Sequence, residues 1–392
     1  MNRPIRILEL RSVWGTGGGP EKTILLGTAR TDPRRFDVTV CYLRDRRDPI
    51  FSVDAKAADL PVNYVELLES HSFDPTIFTR LRRLVRERDI DIVHAHDYKT
   101  NVLAWLLSRF EPIVPLSTVH GWTGHSARER WLYYPIDKRV LTMFPRVIAV
   151  SSDARRELVE RGAKPENVSV ILNGIDHTMF CRDRSREHQV RQELGFRASD
   201  FVIGAVGRVE PQKRFDLLLD AFASLLKAQP QLKLVIVGDG SLLGELRAQV
   251  EHLMIHDACR LIGNRTDVAD LHHAFDLFVQ SSDYEGTSNA VLEAMAFETP
   301  IVATDAGGTA EIVRHGIDGL IVARGGSGVL AEAIAASISD SAAARTRANS
   351  ARRRVETDLS FEARMSAVEA IYVELFQRRS GADTPRLVAA RP

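Results

Sequence analysis

The chain alternates between short runs rich in valine, isoleucine and leucine and longer stretches in which apolar residues return every third or fourth position. The short runs predict strands: "IRILEL" (5–10), "DVTVCYL" (37–43), "DIVHAH" (91–96), "PLSTVH" (115–120), "RVIAVS" (146–151) and "VSVILNG" (168–174). A second series follows, with "FVIGAVG" (201–207), "LKLVIVG" (232–238), "CRLIG" (259–263), "LFVQSS" (277–282), "PIVATDAGG" (300–308) and "GLIVA" (319–323). Strands apolar on both faces, with helical patterns between nearly all of them, indicate parallel sheets covered by helices. Two such series predict two doubly wound α/β domains. The charged stretch 176–200, "DHTMFCRDRSREHQVRQELGFRASD", is poor in β-formers and reads as the boundary, giving domains over 1–178 and 179–355. In "FEARMSAVEAIYVELF", Phe361, Met365, Val368, Tyr372 and Leu375 recur at three and four. That spacing predicts an amphipathic helix within 356–380 with one buried stripe, followed by a flexible tail over 381–392.

Bulk properties narrow the class. A length of 392 residues favours two domains over one core. Lys+Arg and Asp+Glu both number 52, which argues against nucleic acid as the partner. Residues 1–180 carry 27 basic and 23 acidic side chains, so the N-terminal half leans towards something anionic. Cys41, Cys181 and Cys259 lie far apart without metal-ligand spacing, as in a reducing compartment. "MNRPIRILELRSVWG" reads as a first strand rather than a signal peptide, and no run approaches about 18 apolar residues. The expected location is the cytoplasm, including the inner face of the cytoplasmic membrane.

Ligands of doubly wound sheets bind where strands run into loops at their carboxyl ends, and with two such domains the cleft between them is the default site. The first strand leads into "WGTGGGPEKT", whose Gly17, Gly18 and Gly19 suit either a backbone cradle for phosphate or a tight structural turn. No Gly-Lys-Ser/Thr follows, Pro20 breaks the dinucleotide fingerprint, and no acidic residue ends the second strand. "GRVEPQK" places Arg208 and Lys213 in a loop after a strand, where two cations suit a diphosphate leaving group. Gly238 in "VGDGS" marks a further turn at the next strand end. In "DYEGTSNAVLEAMA" (283–296), Ser288 is a candidate helix cap, and Gly286, Thr287, Ser288 and Asn289 offer backbone donors to an anion. A carboxylate repels phosphate, so Glu285 and Glu293 are better matched to neutral hydroxyls. Phosphate flanked by two hydroxyl-rich rings describes a nucleotide sugar.

With these residues the chain resembles the GT-B glycosyltransferases of the large retaining group called family 4. The resemblance spans residues 5–376 and rests on the glycine loop, "TVHG" (118–121), "VILNGID" (170–176), "GRVEPQK", "LVIVGDG", "IGNRTDV" (262–268) and the E-x7-E pair with "LEAMAFETPIVATDAGGTAEIV" after it. It implies two Rossmann-like domains facing a central cleft, with a terminal helix crossing back to the first. His120 would position sugar and acceptor, and Arg208 and Lys213 would stabilise the departing diphosphate. Glu285 would hold the sugar hydroxyls and Glu293 the ribose, with Asn264 and Arg265 at the base and Gly307 and Gly308 near the sugar and phosphates. The resemblance further implies transfer with retention of a hexose or N-acetylhexosamine, UDP-linked in preference to GDP-linked. The acceptor would be a saccharide or lipid-linked hydroxyl in cell-envelope or exopolysaccharide synthesis, and neither cofactor nor metal is expected. Relatives commonly have proline at Ser288 and glycine at Glu298, departures expected to reshape the sugar pocket.

Other features have competing readings. In "DIDIVHAHD", Asp89 and Asp91 lie at the wrong end of a strand for the site, whereas His96 and Asp97, with Trp122, suit the acceptor side or a structural role. "LHHAFD" (271–276) reads as a helix surface. Arg80, Arg82, Arg83, Arg86 and Arg88 form a solvated helix face or a contact for anionic membrane, and "RERWLYYPIDKRVL" (128–141) an acceptor-binding or interdomain helix. Alternatives to the transferase are a nucleotide-sugar epimerase of the same architecture, a nicotinamide-dependent oxidoreductase and an inactive sugar-nucleotide sensor.

Overall fold

A computed structural model of the protein describes residues 3–71, 74–122 and 128–379, apart from the side chain of Arg130; the tail expected over 381–392 lies outside the described residues. The chain divides into two compact units, one comprising residues 1–171 with 365–392 and the other 172–364.

The first unit is built on a parallel sheet of β1 (Ile5–Ser12), β2 (Phe36–Asp45), β3 (Asn63–Glu69), β4 (Ile92–Ala95), β5 (Val114–Val119), β6 (Arg146–Ala149) and β7 (Val168–Val170), in the order β3-β2-β1-β4-β5-β6-β7. The second has β8 (Phe201–Val206), β9 (Leu232–Val237), β10 (Cys259–Leu261), β11 (Leu277–Gln280), β12 (Ile301–Thr304) and β13 (Leu320–Val322), in the order β10-β9-β8-β11-β12-β13. Both sheets grow outward from their first strand and then reverse, between β1 and β4 and between β8 and β11. At such a switch point the loops leave the strand ends in opposite directions and open a crevice.

β3 has no counterpart among the expected strands. It lies at the sheet edge, where only part of its surface needs to be apolar, and its glutamates meet cations instead: Glu66 pairs with Arg44 at 3.4 Å, and Glu69 with Lys99. The stretch 176–200 belongs to the second unit. The chain passes between units at 171/172 rather than after 178. Two arginines of that stretch are structural: Arg182 donates to the carbonyls of Phe275 (2.6 Å) and Phe297 (3.0 Å), and buried Arg191 pairs with Asp276 at 2.8 Å. Arg182 and Arg191 thus have internal partners, while Asp183, Arg184, Glu193 and Arg197 of the same stretch are exposed.

The terminal helix, Phe361–Arg379, buries Val368, Ile371, Tyr372 and Leu375 against Ile5, Ile7, Phe36, Ile92, Leu116 and Ile148 of the first sheet, the return expected of the chain's end. Arginines of the helix Thr76–Glu87 are held within their own unit. Arg82 and Arg86 converge on Glu111 (2.7 and 2.9 Å), Arg83 pairs with Glu87, and Arg80 donates to the Leu68 carbonyl at 2.6 Å. Arg88, just past the helix, bonds the Thr39 hydroxyl at 3.1 Å. Among the described residues, no helix is long and apolar enough to cross a membrane.

Candidate active site

In the second unit the switch point gathers the expected residues. The loop after β8 carries Arg208, which is exposed, and Lys213, whose Nζ lies 2.5 Å from Glu285 Oε1 in the loop after β11. The Ser282 hydroxyl donates to the same oxygen at 2.6 Å, so a lysine and a serine orient a buried carboxylate. Main-chain bonds lock the two loops: Asp283 N donates to Gln212 O (2.8 Å), and Ser281 Oγ to Lys213 O (2.8 Å). The loop after β12 joins them through Gly308 N to Glu285 O at 3.1 Å. A lysine and a carboxylate in contact suit a ligand that carries phosphate beside hydroxyls.

The helix Asn289–Ala296 begins where expected. Its Ser288 cap accepts from Val291 N at 3.5 Å, while Gly286, Thr287 and Ser288 are buried in the approach. The first N–H groups of a helix lack intrahelical acceptors and carry partial positive charge, which favours an anion there. Asn173, from the "VILNGID" segment, bonds Thr287 O and Asn289 Oδ1, both at 3.2 Å. The Asn-Gly pair of "VILNGID" is the sequence signal for this residue.

Glu293 lies one turn into the helix, its carboxylate 3.8 Å from His272 Nε2. "LHHAFD" is not a helix surface. His272 and His273 are both buried, with His272 stacked on Phe297 at 5.1 Å between ring centres. Asn264 and Arg265 are exposed just beyond β10, and Arg265 pairs with Asp267 at 2.6 Å. Gly238 holds φ at +142°, and any side chain there would strike the Gly207 carbonyl, so it lets the loop after β9 close on the loop after β8.

Glu298 stands at the other end of the same helix, exposed, with φ at +53°. Its N–H bonds Met295 O (3.1 Å) and that of Thr299 bonds Ala294 O (3.0 Å), a Schellman cap whose left-handed position ordinarily holds glycine. An eight-residue helix, about 12 Å long, separates it from the Glu285 loop. This departure from relatives therefore concerns the helix end rather than the sugar pocket.

In the first unit the strand ends carry a different chemistry. The glycine-loop donors are engaged by carboxylates: Gly18 N donates to Glu21 Oε2 and Gly15 N to Asp48 Oδ2, each at 2.5 Å. Glu21 is in turn paired with Arg11. Gly17 adopts φ of +68°, and Gly19 opens the helix Gly19–Arg30, so these glycines form a turn and a helix start in this state. Asp97 is a helix cap, its carboxylate accepting from Lys99 N and Thr100 N (both 3.0 Å) and from Ser12 N (2.7 Å). Trp122 donates to Asp137 at 2.8 Å, and Lys138 lies 4.4 Å from its ring centre. Burial raises the Asp137 carboxyl to about 6 despite bonds from Asn101 and Trp122.

His96 is buried at the end of β4 and its Nδ1 lies 3.4 Å from Nε2 of half-buried His120, at the end of β5. Behind them are Glu9 and His94. Burial opposes ionisation of Glu9, yet the two histidines beside it hold its carboxyl well below the ordinary range. Burial, then His94, pushes His96 down to about 4 against the pull of Glu9. Glu9, His94 and His96 have ligand atoms within 4.8 Å of one another, the grouping among the described residues that could hold a metal. Each of those ligand atoms already has a hydrogen-bond partner within the cluster.

With fold and site described, comparison with known proteins places the chain. Structurally it is similar to Anabaena HepE in complex with UDP-glucose, with a TM-score of 0.83 at 24% identity, covering 94% of this chain and 100% of that one, which establishes the GT-B fold. Family models match on both sides of the division: Glycosyltransferase Family 4 over residues 17–179, and Glycosyl transferases group 1 over 187–354. The chain belongs to this glycosyltransferase family. Among its relatives is the Escherichia coli UDP-Gal:alpha-D-GlcNAc-diphosphoundecaprenol alpha-1,3-galactosyltransferase, 28% identical over 62% of this chain and 65% of that protein. Another is the putative glycosyltransferase EpsD of Bacillus subtilis, 29% identical over 67% of this chain and 72% of its own length. The matching family models are transferase models and lend the epimerase alternative no support.

Proposed function

We propose that the protein is a retaining glycosyltransferase that moves a hexose or N-acetylhexosamine from a nucleotide-diphosphate sugar to a hydroxyl acceptor. The observation that carries this reading is the Lys213–Glu285 pair, 2.5 Å apart beside the start of the helix Asn289–Ala296. A diphosphate at the helix start draws Lys213, and Glu285 is then available to the sugar hydroxyls. Arg208 adds a second cation from the same loop, Glu293 takes the ribose, and the exposed Asn264–Arg265 segment the base. The relative that uses UDP-galactose and the neighbour solved with UDP-glucose favour a UDP-linked donor over a GDP-linked one. A diphosphoundecaprenol acceptor in that same relative favours a saccharide or lipid-linked acceptor in envelope polysaccharide synthesis.

In the reaction the acceptor oxygen bonds the anomeric carbon on the face that the phosphate leaves, and the departing diphosphate takes the acceptor proton. Charge builds on the leaving oxygen, so Lys213 and Arg208 act where stabilisation counts most. His120 positions sugar and acceptor.

Calorimetric titration with UDP, GDP and ADP, without added metal, tests the assignment. UDP is expected to bind most tightly. Glu293→Gln should weaken UDP about ten- to a hundredfold, the scale of one charged hydrogen bond, whereas Glu285→Gln should weaken the UDP-sugar and spare UDP. Equal UDP affinity in Glu293→Gln and wild type removes the ribose role. The same titration in EDTA should give unchanged affinity, since the cations proposed to meet the diphosphate are side chains; lost binding would show that a metal is needed.

A further inference from the structure

One face of the first sheet changes character along its strands. Side chains alternate along each strand, so Ile5, Ile7 and Glu9 share a face with Ile92, His94 and His96 and with Leu116, Thr118 and His120; the register pairs Ile7 with Ile92, Glu9 with His94, and His94 with Leu116. Ile5, Ile7, Ile92 and Leu116 lie under the terminal helix, and towards the carboxyl ends polar residues replace them. Glu9 and His94 are buried, and both bond to Tyr372 of the helix.

One set of protons satisfies all of these hydrogen bonds together. Tyr372 donates its hydroxyl proton to Glu9 Oε1 at 2.6 Å. His94 Nδ1–H faces the Tyr372 oxygen at 2.7 Å and Glu9 Oε1 at 3.2 Å, and His94 Nε2 accepts from the Thr118 hydroxyl at 2.8 Å. His96 Nε2–H donates to Glu9 Oε2 at 2.5 Å, which leaves His96 Nδ1 as an acceptor. His120 Nε2 lies 3.4 Å from that atom. The ring centres of His96 and His120 are 5.7 Å apart, exceeding the N···N distance by about two ring radii, so the nitrogens meet head-on rather than face to face. Other charged groups close to the cluster are already paired: Arg11 bonds the His96 carbonyl at 2.9 Å and the Glu21 carboxylate, and Asp97 caps its helix.

We propose that Glu9 and His96 are positioning residues behind His120, with Glu9 fixing the tautomer of His96 so that His96 Nδ1 holds the Nε2–H of His120, and Tyr372 steadying the carboxylate from the terminal helix. A carboxylate that sets the tautomer of one imidazole, and through it the orientation of another group, is a known way to organise a site. The inference rests on the assignment of His120 to sugar and acceptor positioning. The low position of His96 agrees with a neutral ring between an anion and a histidine donor. A metal on Glu9, His94 and His96 would take the atoms through which these side chains now bond to one another.

Long-range proton–nitrogen NMR of the full chain labelled at histidine reads the tautomers without substrate. In wild type, His96 should carry its proton on Nε2 alone and His120 on Nε2. Glu9→Gln should abolish that asymmetry at His96 and alter the His120 ring signals, while Tyr372→Phe, should Glu9→Gln fail to fold, should weaken both. A His96 protonated on Nδ1, or His120 signals unmoved in a folded Glu9→Gln protein, overturns the relay. So does stoichiometric zinc binding that wild type shows and His96→Gln loses. If the tautomers are as assigned but His120→Ala leaves sugar transfer unchanged, the relay stands and the role proposed for His120 fails.

Discussion

Two buried groups in the first unit give opposite responses to acid. His96 is held near 4 in the folded state against an ordinary value of 6.5, so between those values the unfolded chain takes a proton that the native ring refuses. Stability then falls as the pH drops through that window, by up to about 1.4 kcal/mol per unit. Asp137 is raised to about 6 from 3.8, so the native carboxyl binds its proton first and stability rises over nearly the same interval. The low Glu9 adds a stabilising term that is present above the unfolded carboxyl value and lost as the pH falls through its folded one. We therefore expect His96→Gln to gain stability relative to wild type on going from pH 6.5 to 4.5, and Asp137→Asn to lose it, as read from urea midpoints at both values. Parallel shifts in all three proteins would show that neither group titrates as described. The sequence offered these residues unevenly. His96, Asp97 and Trp122 stood out by their place after strands, but Asp97 proved a cap. Glu9 and Tyr372, 363 positions apart, gave no local sign of meeting.

Among the elements, the helix Asn289–Ala296 shows how a short segment can be legible at one end and not at the other. Its start was readable because a strand, a serine cap and apolar periodicity coincide. Its end departs from the usual glycine, and only the backbone shows why that matters: Glu298 occupies a left-handed position, which disfavours a side chain by about 1–2 kcal/mol, partly offset by the greater freedom glycine has when unfolded. Glu298→Gly is expected to stabilise the protein by about 0.5–1 kcal/mol with UDP affinity unchanged, measurable by denaturant titration and calorimetry. A destabilised variant would show that the glutamate side chain contributes more than its backbone strain removes. The strands with continuous apolar runs were equally readable, whereas β3 was hidden by Glu66 and Glu69, whose partners Arg44 and Lys99 come from elsewhere in the unit.

At the scale of the molecule, the two series of strands were visible as two parallel sheets, and the motifs fell at their carboxyl ends because that is where doubly wound sheets place loops. The units divide at 171/172, a little before the expected 178, and the burial of Arg182 and Arg191 in the second unit could not be read from composition. The return of the terminal helix has a consequence for how the protein is made. β1 leaves the ribosome long before the terminal helix: Tyr372, which completes its polar end, and Val368, Ile371 and Leu375, which cover its apolar end, are synthesised 350 residues or more later, a wait on the order of tens of seconds. Until then the nascent first unit shows Ile5, Ile7, Phe36 and Ile92 to water and leaves Glu9 short of a donor. Ribosome-bound chains arrested before residue 365 should therefore be cleaved readily within the first unit, and those arrested well beyond Leu375 should resist. Equal resistance at both lengths would mean that the sheet closes without its last helix. A stop codon just before this helix would then harm a sheet translated long before it, leaving that unit a client for chaperones while the second unit is being made.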